Sequence, residues 1–345
     1  MYQTLKSLLF RLDAEKAHTI TTKLFKLLCK TPVFRSIISK TFLFEDDRLK
    51  QELWGLTFKN PVGLAAGFDK NGMYIESMAK LGFGFIELGT VTPRPQIGNP
   101  KPRLFRLKKD RAILNRMGFN NQGVDFLVDQ LKKSRKHKII IGGNIGKNKD
   151  TPNEKAHEDY LVCFQKLYPY VDYFVVNLSS PNTPGLRELQ DKKPLTKILS
   201  VLLDERANQT QSKPILLKIA PDLSQEQLDD VIDIVQELNI EGVIATNTTI
   251  KRDNLQTSEQ EVNELGAGGL SGGPLMDYST SILSYLNKKA DGKIPIIGVG
   301  GISSGESAEE KLNSGAKLIQ VYSGLIYEGP FLIKKIKKHL LSKRA

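Results

Sequence analysis

The amino-acid sequence predicts an α/β protein built as a (β/α)8 barrel of the TIM type with a small N-terminal helical extension. From residue 61 onward, short apolar and β-branched runs alternate with amphipathic stretches of roughly 10 to 15 residues. Eight such runs occur, and eight βα units are the number that closes a barrel. Polar residues follow the carboxyl ends of the runs, which is where this fold builds its active site.

The eight predicted strands are apolar runs, most of them bordered by glycine, proline or asparagine, at 61–66, 83–88, 138–143, 172–176, 214–219, 242–245, 294–299 and 317–321. Between them, helical periodicity predicts helices at 123–132, 154–167, 224–238 and 308–314. This alternation favours a closed barrel over a doubly wound open sheet.

Residues 1–44 form a basic segment with eight basic and two acidic residues, and residues 45–345 are expected to form the barrel domain. Helices are predicted on both sides of Asp13, which is the expected N-cap, and Pro32 separates a third apolar stretch. Two interpretations are open: helices packed on their own domain, or a membrane-surface hairpin with lysines toward the head groups. The residues expected on the apolar faces are Tyr2, Leu5, Leu8, Leu9, Leu12, Ala17, Ile20, Leu24, Leu27 and Leu28.

The composition is ordinary for a globular protein, since 40% of the 345 residues are hydrophobic and 26% are charged. Lysine and arginine number 50 against 38 acidic residues, and this formal charge of +12 favours an anionic partner: phosphate, nucleic acid or an anionic lipid surface. Cys29 and Cys163 are too few for a zinc site or a disulfide framework, which indicates a reducing compartment. Neither a signal peptide nor a membrane-spanning run is predicted, so the chain is expected on the cytoplasmic side.

Asparagines and lysines are frequent at the predicted strand ends, which comprise residues 67–70, 89–90, 144, 177–182, 218, 246–248, 300–301 and 322–324. Asn115, Asn177, Asn182 and Asn247 suit a planar ring that carries C=O and N–H groups. Lys70 and Lys218 can supply positive charge beside such a ring. The glycine-rich loops at 298–301 and 322–324, with a helix starting near Ser304, indicate a phosphate site.

The four histidines, His18, His137, His157 and His339, all lie outside these strand-end loops. Metal-dependent hydrolysis and a Ser-His-Asp triad are therefore not expected, and no metal site is predicted. A hydroxyl in the loop after Asn177 is then the available proton acceptor. It becomes usable when the reaction is driven by a strong hydride acceptor such as a flavin.

Seven segments together resemble the quinone-dependent (class 2) dihydroorotate dehydrogenases of bacterial type: 60–72, 89–96, 115–121, 177–185, 269–272, 297–302 and 322–324. The resemblance implies one FMN per chain and oxidation of (S)-dihydroorotate to orotate in pyrimidine (UMP) biosynthesis, with electrons passing to a membrane quinone. It implies that Ser180 is the base that takes the C5 proton while hydride leaves C6 for the flavin. Class 1 relatives carry cysteine at this position.

The resemblance also implies binding residues. For FMN they are Ala66, Gly67, Phe68, Asp69, Lys70, Thr90, Asn144, Asn177, Lys218, Thr246, Gly272, Gly301, Tyr322 and Ser323. For substrate they are Lys70, Asn115, Arg116, Met117, Gly118, Phe119, Asn177, Asn182, Asn247 and Thr248. For the quinone they are His18, Arg106 and Tyr322, and Thr183 and Phe119 correspond to positions that shape the exit of the proton.

The resemblance further implies a monomer bound peripherally to the cytoplasmic side of the cell membrane through residues 1–44. The nearest alternative is a soluble class 1-type enzyme that uses fumarate or NAD, against which Ser180 and the basic segment argue. A phosphate-binding aldolase or isomerase barrel would share the glycine loops but bind no flavin. A nucleic-acid-binding role is not expected, because the lysines are dispersed without interleaved aromatic residues. One departure is Gly273, where many bacterial members have arginine.

Overall fold

The computed structural model describes residues 2–134 and 139–343, and its centre is a closed barrel of eight parallel strands. The strands within these residues are, in chain order, β1 (Gln51–Leu53), β2 (Leu56–Phe58), β3 (Val62–Leu64), β4 (Phe85–Val91), β5 (Leu104–Leu107), β6 (Ala112–Asn115), β7 (Ile140–Ile145), β8 (Tyr173–Asn177), β9 (Ile215–Ile219), β10 (Gly242–Ala245), β11 (Gly269–Gly272), β12 (Ile296–Val299) and β13 (Ala316–Val321).

The helices of the described residues connect these strands and form the two ends of the chain: α1 (Tyr2–Leu9), α2 (Ala14–Lys30), α3 (Pro32–Phe42), α4 (Ile75–Ala79), α5 (Gly123–Lys133), α6 (Ala156–Leu167), α7 (Lys192–Ala207), α8 (Gln225–Glu237), α9 (Glu259–Leu265), α10 (Met276–Lys289), α11 (Gly305–Asn313), α12 (Ser323–Glu328) and α13 (Leu332–Ser342). None of the described helices is long and apolar enough to span a membrane.

The predicted (β/α)8 barrel is confirmed. Its strands follow one another in the order β3, β4, β7, β8, β9, β10, β12 and β13, and β13 pairs back onto β3. All eight predicted strands correspond to barrel strands, although Lys138 and His137 lie outside the described residues. Asn144 and Asn177, expected just after their strands, are paired strand residues opposite Gly89 and Lys218.

The barrel interior and its outer surface form separate apolar layers. Phe58, Phe85, Tyr173 and Leu216 fill the end of the barrel interior that the β1–β2 hairpin closes. The larger core lies between the strands and the surrounding helices. These large side chains fill the amino-terminal end, so space for a ligand remains only at the carboxyl ends of the strands.

A three-stranded antiparallel sheet, with the order β11, β6, β5, was not predicted from the sequence. Its strands are only four residues long. β5 and β6 are neighbours in sequence, but β6 pairs with β11 across 154 residues, as the pairing of Asn115 with Gly269 shows. Short strands of this kind carry little periodic signal. The sheet adds Leu104, Ile113 and Ser271 to the cavity wall at the barrel mouth.

The N-terminal segment contains the two helices predicted on either side of Asp13, and the third apolar stretch, after Pro32, is also helical. Helix α2 packs against α3, α4 and β5. The Asp13 side chain accepts from the Lys16 amide at 2.9 Å, which confirms the predicted N-cap. The apolar residues divide between two environments: Ala14, Ala17 and Cys29 are buried, whereas Ile20, Leu24 and Leu27 are exposed. The small residues thus face the protein, together with Phe25, which packs against the core, whereas these three large residues remain at the surface.

Candidate active site

A cavity opens at the carboxyl ends of the barrel strands. It contains about 1020 Å³ of space outside protein atoms, part of it open to solvent. Its lining combines strand ends and βα loops with residues from the small sheet. This position matches that of active sites in barrel enzymes and agrees with the expectation from the sequence.

A buried carboxylate, Glu87 of β4, lies beneath the cavity. Its Oε1 accepts from Asn144 Nδ2 at 2.7 Å and lies 3.4 Å from Lys218 Nζ, and its Oε2 accepts from Gln320 Nε2 at 2.5 Å. The side chains of Glu87 and Lys218 are 0% and 6% exposed. An unpaired buried charge is costly, so the carboxylate of Glu87 offsets the cost of burying the Lys218 ammonium and holds it in one position. Lys218 lines the cavity.

Asparagines and hydroxyls form a network on one wall of the cavity. Asn177 Nδ2 donates to Thr90 Oγ1 at 2.8 Å, and Asn247 Nδ2 donates to Ser179 Oγ at 2.9 Å. Ser179 Oγ in turn donates to Asn177 Oδ1 at 3.1 Å. These bonds fix the amide planes before a ligand enters, so their remaining donors and acceptors point in defined directions.

Ser180 differs from the neighbouring Ser179 in its hydrogen bonding. Ser179 is fully buried and bonded on both sides, and it does not line the cavity. Ser180 lines the cavity, is 6% exposed, and accepts only from the Asn182 backbone amide, at 3.3 Å, among the described residues. Of these two serine hydroxyls, that of Ser180 is therefore the one whose lone pairs and proton are available to a ligand in the cavity.

A second hydroxyl of this loop is buried without a partner. Thr183 is 3% exposed, and its Oγ1 has no hydrogen-bond partner among the described residues. A buried hydroxyl that lacks a partner is costly unless water or a transferred proton reaches it. Phe119, which is 8% exposed, lines the cavity near this loop.

Two residues after β3 have opposite roles. Asp69 is 2% exposed, and its carboxylate accepts from the amides of Met73 at 2.8 Å and Tyr74 at 2.7 Å, which ties down the following loop. Burial raises the pKa of Asp69 to about 6. Lys70 lines the cavity and donates to Asn120 Oδ1, and burial lowers its pKa to about 7.

The glycine loop after β12 lies at the opposite wall. Gly300 and Gly301 have φ of 124° and 75°, and a Cβ at Gly301 would lie 2.4 Å from Met276 Cβ. Only glycine fits there, and its backbone faces the cavity. Behind this loop, the fully buried Lys311 donates to Ser279 Oγ at 2.6 Å, and Ser279 Oγ lies 3.3 Å from Gly300 O.

A series of rings connects the N-terminal helices to the cavity. His18 of α2 meets Phe68 edge to face at 4.8 Å between centroids, and Phe68 meets Tyr322 at 5.8 Å. Tyr322 lines the cavity. Burial, with a contribution from Lys70, lowers the pKa of His18 to about 4, so its imidazole is neutral at physiological pH. Arg106 Nη1 donates to Leu12 O at 2.9 Å and stacks over Phe10.

Residues 48–343 match the family model described as dihydroorotate dehydrogenase. The chain belongs to the dihydroorotate dehydrogenase family. The dihydroorotate dehydrogenase (quinone) of Christiangramia forsetii is 55% identical over 344 residues, with 99% of each chain covered. That of Vibrio cholerae is 51% identical over 347 residues, with 99% of this chain and 100% of the relative covered. The resemblance to the quinone-dependent class predicted from the sequence is confirmed.

Solved structures agree. The crystal structure of DHODH from Eimeria tenella in complex with ferulenol matches with a TM-score of 0.85 at 38% identity, covering 96% of this chain and 91% of that chain. The ligand-free structure of DHODH from the same organism matches with a TM-score of 0.82 at 40% identity, covering 89% and 92%. This dihydroorotate dehydrogenase fold thus extends over nearly the whole chain.

Most residues expected to bind FMN meet in the one cavity. Those that line it are Ala66, Gly67, Lys70, Thr90, Asn177, Lys218, Thr246, Gly301, Tyr322 and Ser323. Phe68, Asp69, Asn144 and Gly272 lie outside this lining, and Asn144 contacts it through Thr90 and Asn177. The residues expected to bind substrate that line it are Lys70, Asn115, Met117, Gly118, Phe119, Asn177, Asn182, Asn247 and Thr248.

Arg116 is placed differently from its neighbours in the dihydroorotate dehydrogenase motif. Its guanidinium donates to the carbonyls of Pro102 and Ala267 and stacks over Phe105, so it braces the small sheet. His18 and Arg106 lie on the side of the N-terminal helices, and Tyr322 alone of the expected quinone residues lines the cavity. Gly273 lines a separate cavity.

Glu87 and Gln320 were not predicted from the sequence as parts of the dihydroorotate dehydrogenase site. Glu87 stands in β4, which is buried along its whole length, and Gln320 stands in β13, which is buried except at Lys317; a polar residue at such a buried position requires a partner. The sequence did carry a signal for this pair, because the carboxylate of Glu87 stands within the apolar run 85–91. A buried carboxylate requires a cation, and Lys218 in the run 215–219 was the lysine expected to be buried.

Proposed function

We propose that this chain oxidises (S)-dihydroorotate to orotate and passes the electrons to a membrane quinone. The observation that carries the proposal is Ser180, whose free hydroxyl faces a cavity walled by asparagine amides and two lysines. Membership of a family whose relatives include enzymes named dihydroorotate dehydrogenase (quinone) supports the same reaction.

The cavity fits FMN in its donor set and shape. Lys218 and the amide of Asn177 can face a flavin ring, and Gln320 Oε1 is buried without a partner among the described residues, so it can accept from a ring N–H. The glycine loop at 300–301 presents backbone that can approach a phosphate closely. When bound, FMN supplies the acceptor for the hydride that leaves C6 of dihydroorotate.

Ser180 would take the proton from C5 of dihydroorotate. Its own hydroxyl proton must leave as the C5 proton arrives, and the Asn182 amide, which donates to Ser180 Oγ at 3.3 Å, would stabilise the oxygen while that proton is given up. Thr183 has a buried hydroxyl with no partner among the described residues, so a water between the two hydroxyls would carry the proton from Ser180 to Thr183 and away from the substrate. The surrounding amides and Phe119 exclude bulk water and hold the ring in place.

Gly301→Ala is expected to yield protein that has lost most of its flavin. The new Cβ would lie within 3.0 Å of Met276 and would displace the loop that we assign to the phosphate group. Gly55→Ala is the matched control, since Gly55 also has positive φ, at 72°, but nothing lies within 4 Å of its Cβ position. Flavin absorbance per mole of protein measures the effect. Equal flavin content in both variants would contradict the phosphate assignment.

Orotate is expected to bind more weakly as the pH rises above about 7, because Lys70 then loses the charge that attracts the carboxylate of the ligand. The sign follows from the lowered pKa, since the ammonium is present below it and absent above it. Lys70→Arg keeps its charge and should remove this dependence. The change in flavin absorbance on orotate binding, measured between about pH 6 and about pH 9, tests it. An identical pH dependence in both proteins would exclude Lys70 as the cause.

The N-terminal helices would form the quinone entrance and the membrane contact. Leu24 and Leu27 of α2 are 55% and 61% exposed, and Val33, Phe34 and Ile37 of α3 are exposed beside them. Large exposed apolar side chains on a basic helical pair fit a lipid surface at the cytoplasmic side of the membrane. The neutral imidazole of His18 lies between this surface and Tyr322, and it could donate its single N–H to a quinone carbonyl in place of the Phe68 backbone carbonyl.

A double substitution, Leu24→Ser with Leu27→Ser, is expected to weaken binding to anionic vesicles and to slow turnover with a long-chain quinone. Each buried leucine side chain contributes about 1.5–3 kcal/mol to membrane binding. Ile250→Ser, at a residue of the barrel that is 54% exposed, is the matched control. Vesicle sedimentation measures the binding. Retention of the double variant at the wild-type level would exclude this surface.

The proposed function is tested by offering the purified, detergent-solubilised protein dihydroorotate with one acceptor at a time: a ubiquinone analogue, a menaquinone analogue, fumarate or NAD. Orotate formation with a quinone, and not with fumarate or NAD, is the expected result. Turnover with only fumarate or NAD would contradict the proposal that a quinone is the electron acceptor. A yellow protein that forms no orotate with any acceptor would refute the reaction itself.

A further inference from the structure

An ion pair joins the N-terminal helices to the barrel. Glu15, in the first turn of α2, accepts from Arg103 Nε at 3.0 Å and from Arg103 Nη2 at 2.7 Å. Arg103 is 5% exposed, and its hydrogen bond lowers the pKa of Glu15. A bidentate bond of this kind fixes the guanidinium plane as well as its charge. Lys101 also pairs with Glu15, at 3.5 Å, but its side chain is 68% exposed.

The remaining guanidinium nitrogen of Arg103 holds the loop before β5. Arg103 Nη1 donates to Ile97 O at 2.7 Å and to Asn99 O at 2.9 Å. The Asn99 amide donates to Met117 O at 3.1 Å, and the Arg116 amide donates to Arg103 O at 2.9 Å. The loop is therefore bound both to the ion pair and to the 116–117 segment, where Met117 lines the cavity.

The side chain of Asn99 extends this network to the loop that carries Ser180. Asn99 Nδ2 donates to Asn182 O at 3.1 Å and to Arg116 O at 3.0 Å. The Asn182 amide donates to Ser180 Oγ, and Asn182 Nδ2 donates to Asn115 Oδ1 at 3.0 Å. Glu15, Arg103, Asn99 and Asn182 thus form a continuous series of hydrogen bonds from α2 to the hydroxyl of Ser180.

We propose that Glu15 is a positioning residue for the dihydroorotate side of the site: through Arg103 and Asn99 it holds the backbone of Asn182 against Ser180. This inference rests on the proposed function. It means that the N-terminal helices, which would serve the quinone, also set the geometry of the proton-accepting loop. The docking of these helices on the barrel and the geometry of the substrate site are then coupled. If the Glu15 carboxylate is lost, the buried guanidinium of Arg103 has no charged partner and shifts toward other acceptors.

Glu15→Gln is expected to lower kcat/KM for dihydroorotate roughly tenfold, since one charge-assisted pair is lost. Asn99→Ala should lower the rate of reduction by dihydroorotate in the same way but leave reoxidation by the quinone at the wild-type value, since Asn99 lies outside the N-terminal helices. Stopped-flow absorbance resolves the two half-reactions. The double variant should be no worse than the more impaired single variant, because both substitutions interrupt one series. Lys101→Gln, which removes an exposed partner of Glu15, is the matched control and should behave as wild type.

Hydrogen exchange of the 178–185 backbone gives a readout that does not depend on turnover. Exchange in this segment should quicken in Glu15→Gln and Asn99→Ala but remain unchanged in Lys101→Gln. Unchanged exchange in the first two variants, or additive losses in the double variant, would overturn the inference. So would a defect in Glu15→Gln confined to the quinone step, which would indicate that Glu15 only anchors α2. If wild-type protein itself is not reduced by dihydroorotate, the proposed function fails. The exchange experiment would still show whether Glu15 and Asn99 hold the 178–185 backbone in place.

Discussion

Ser180→Ala is expected to slow reduction of the flavin by dihydroorotate about 10²–10⁴-fold while leaving FMN bound. The reason is that Ser180 Oγ lines the cavity in the loop after β8 and donates to no acceptor among the described residues, whereas the neighbouring Ser179 is bonded on both sides. The substitution removes one oxygen atom and no contact of the barrel core. Anaerobic stopped-flow absorbance measures the rate directly.

Ser180→Cys is the matched variant for this prediction. A thiol has a pKa near 8.5 and can still accept the C5 proton, so this variant should retain more activity than Ser180→Ala, and its activity should rise toward alkaline pH. The flavin absorbance of both variants should equal that of wild type. Reduction of Ser180→Ala at the wild-type rate would show that another group removes the proton.

Lys218→Met is expected to destabilise the protein by about 3–5 kcal/mol, the largest stability effect among the site residues. It leaves the fully buried Glu87 carboxylate with no cation within 4.0 Å among the described residues. Methionine has a similar length, so little volume is lost. The midpoint of thermal unfolding measures the effect, and a fall in flavin content should accompany it because Lys218 lines the cavity.

The double variant Lys218→Met with Glu87→Gln should recover much of that stability. Glutamine keeps the hydrogen bond from Asn144 Nδ2 to the Oε1 position and removes the unpaired charge. Its new Nε2 faces Gln320, whose amide must turn over so that the unpartnered Oε1 accepts the bond. Flavin content should stay low in the double variant, since the cation is still missing. Equal unfolding midpoints for Lys218→Met and the double variant would show that the unpaired charge of Glu87 does not cause the loss of stability in Lys218→Met.

The barrel could be predicted from the sequence because its strands are buried on both faces and give continuous apolar runs. The predicted run 214–219, for example, begins one residue before β9, and the predicted run 242–245 coincides with β10. The small sheet could not be predicted, since β6 pairs with β11 across 154 residues and neither has more than four residues. Such a pairing is determined by tertiary contacts rather than by local pattern.

Most of the candidate site residues could be predicted from the sequence as one group, because they follow the carboxyl ends of the barrel strands and these ends all lie at one mouth of the barrel. This rule could not separate Ser179 from Ser180, which adjoin in sequence but differ in their hydrogen bonds. It also could not find Glu87, whose role depends on partners in three other strands. The helical face of α2 was only partly informative, since Ala17 turns inward while Leu24 turns outward.

The central claim is that dihydroorotate and a quinone are the two substrates of this one flavin site. The most direct test is an anaerobic sequence in which purified protein is mixed with dihydroorotate and then with a ubiquinone or menaquinone analogue, with absorbance followed throughout. We expect the flavin absorbance to bleach as orotate appears and to return when a quinone is added. Bleaching that fumarate or NAD reverses and neither quinone does, or no bleaching at all, would contradict the account.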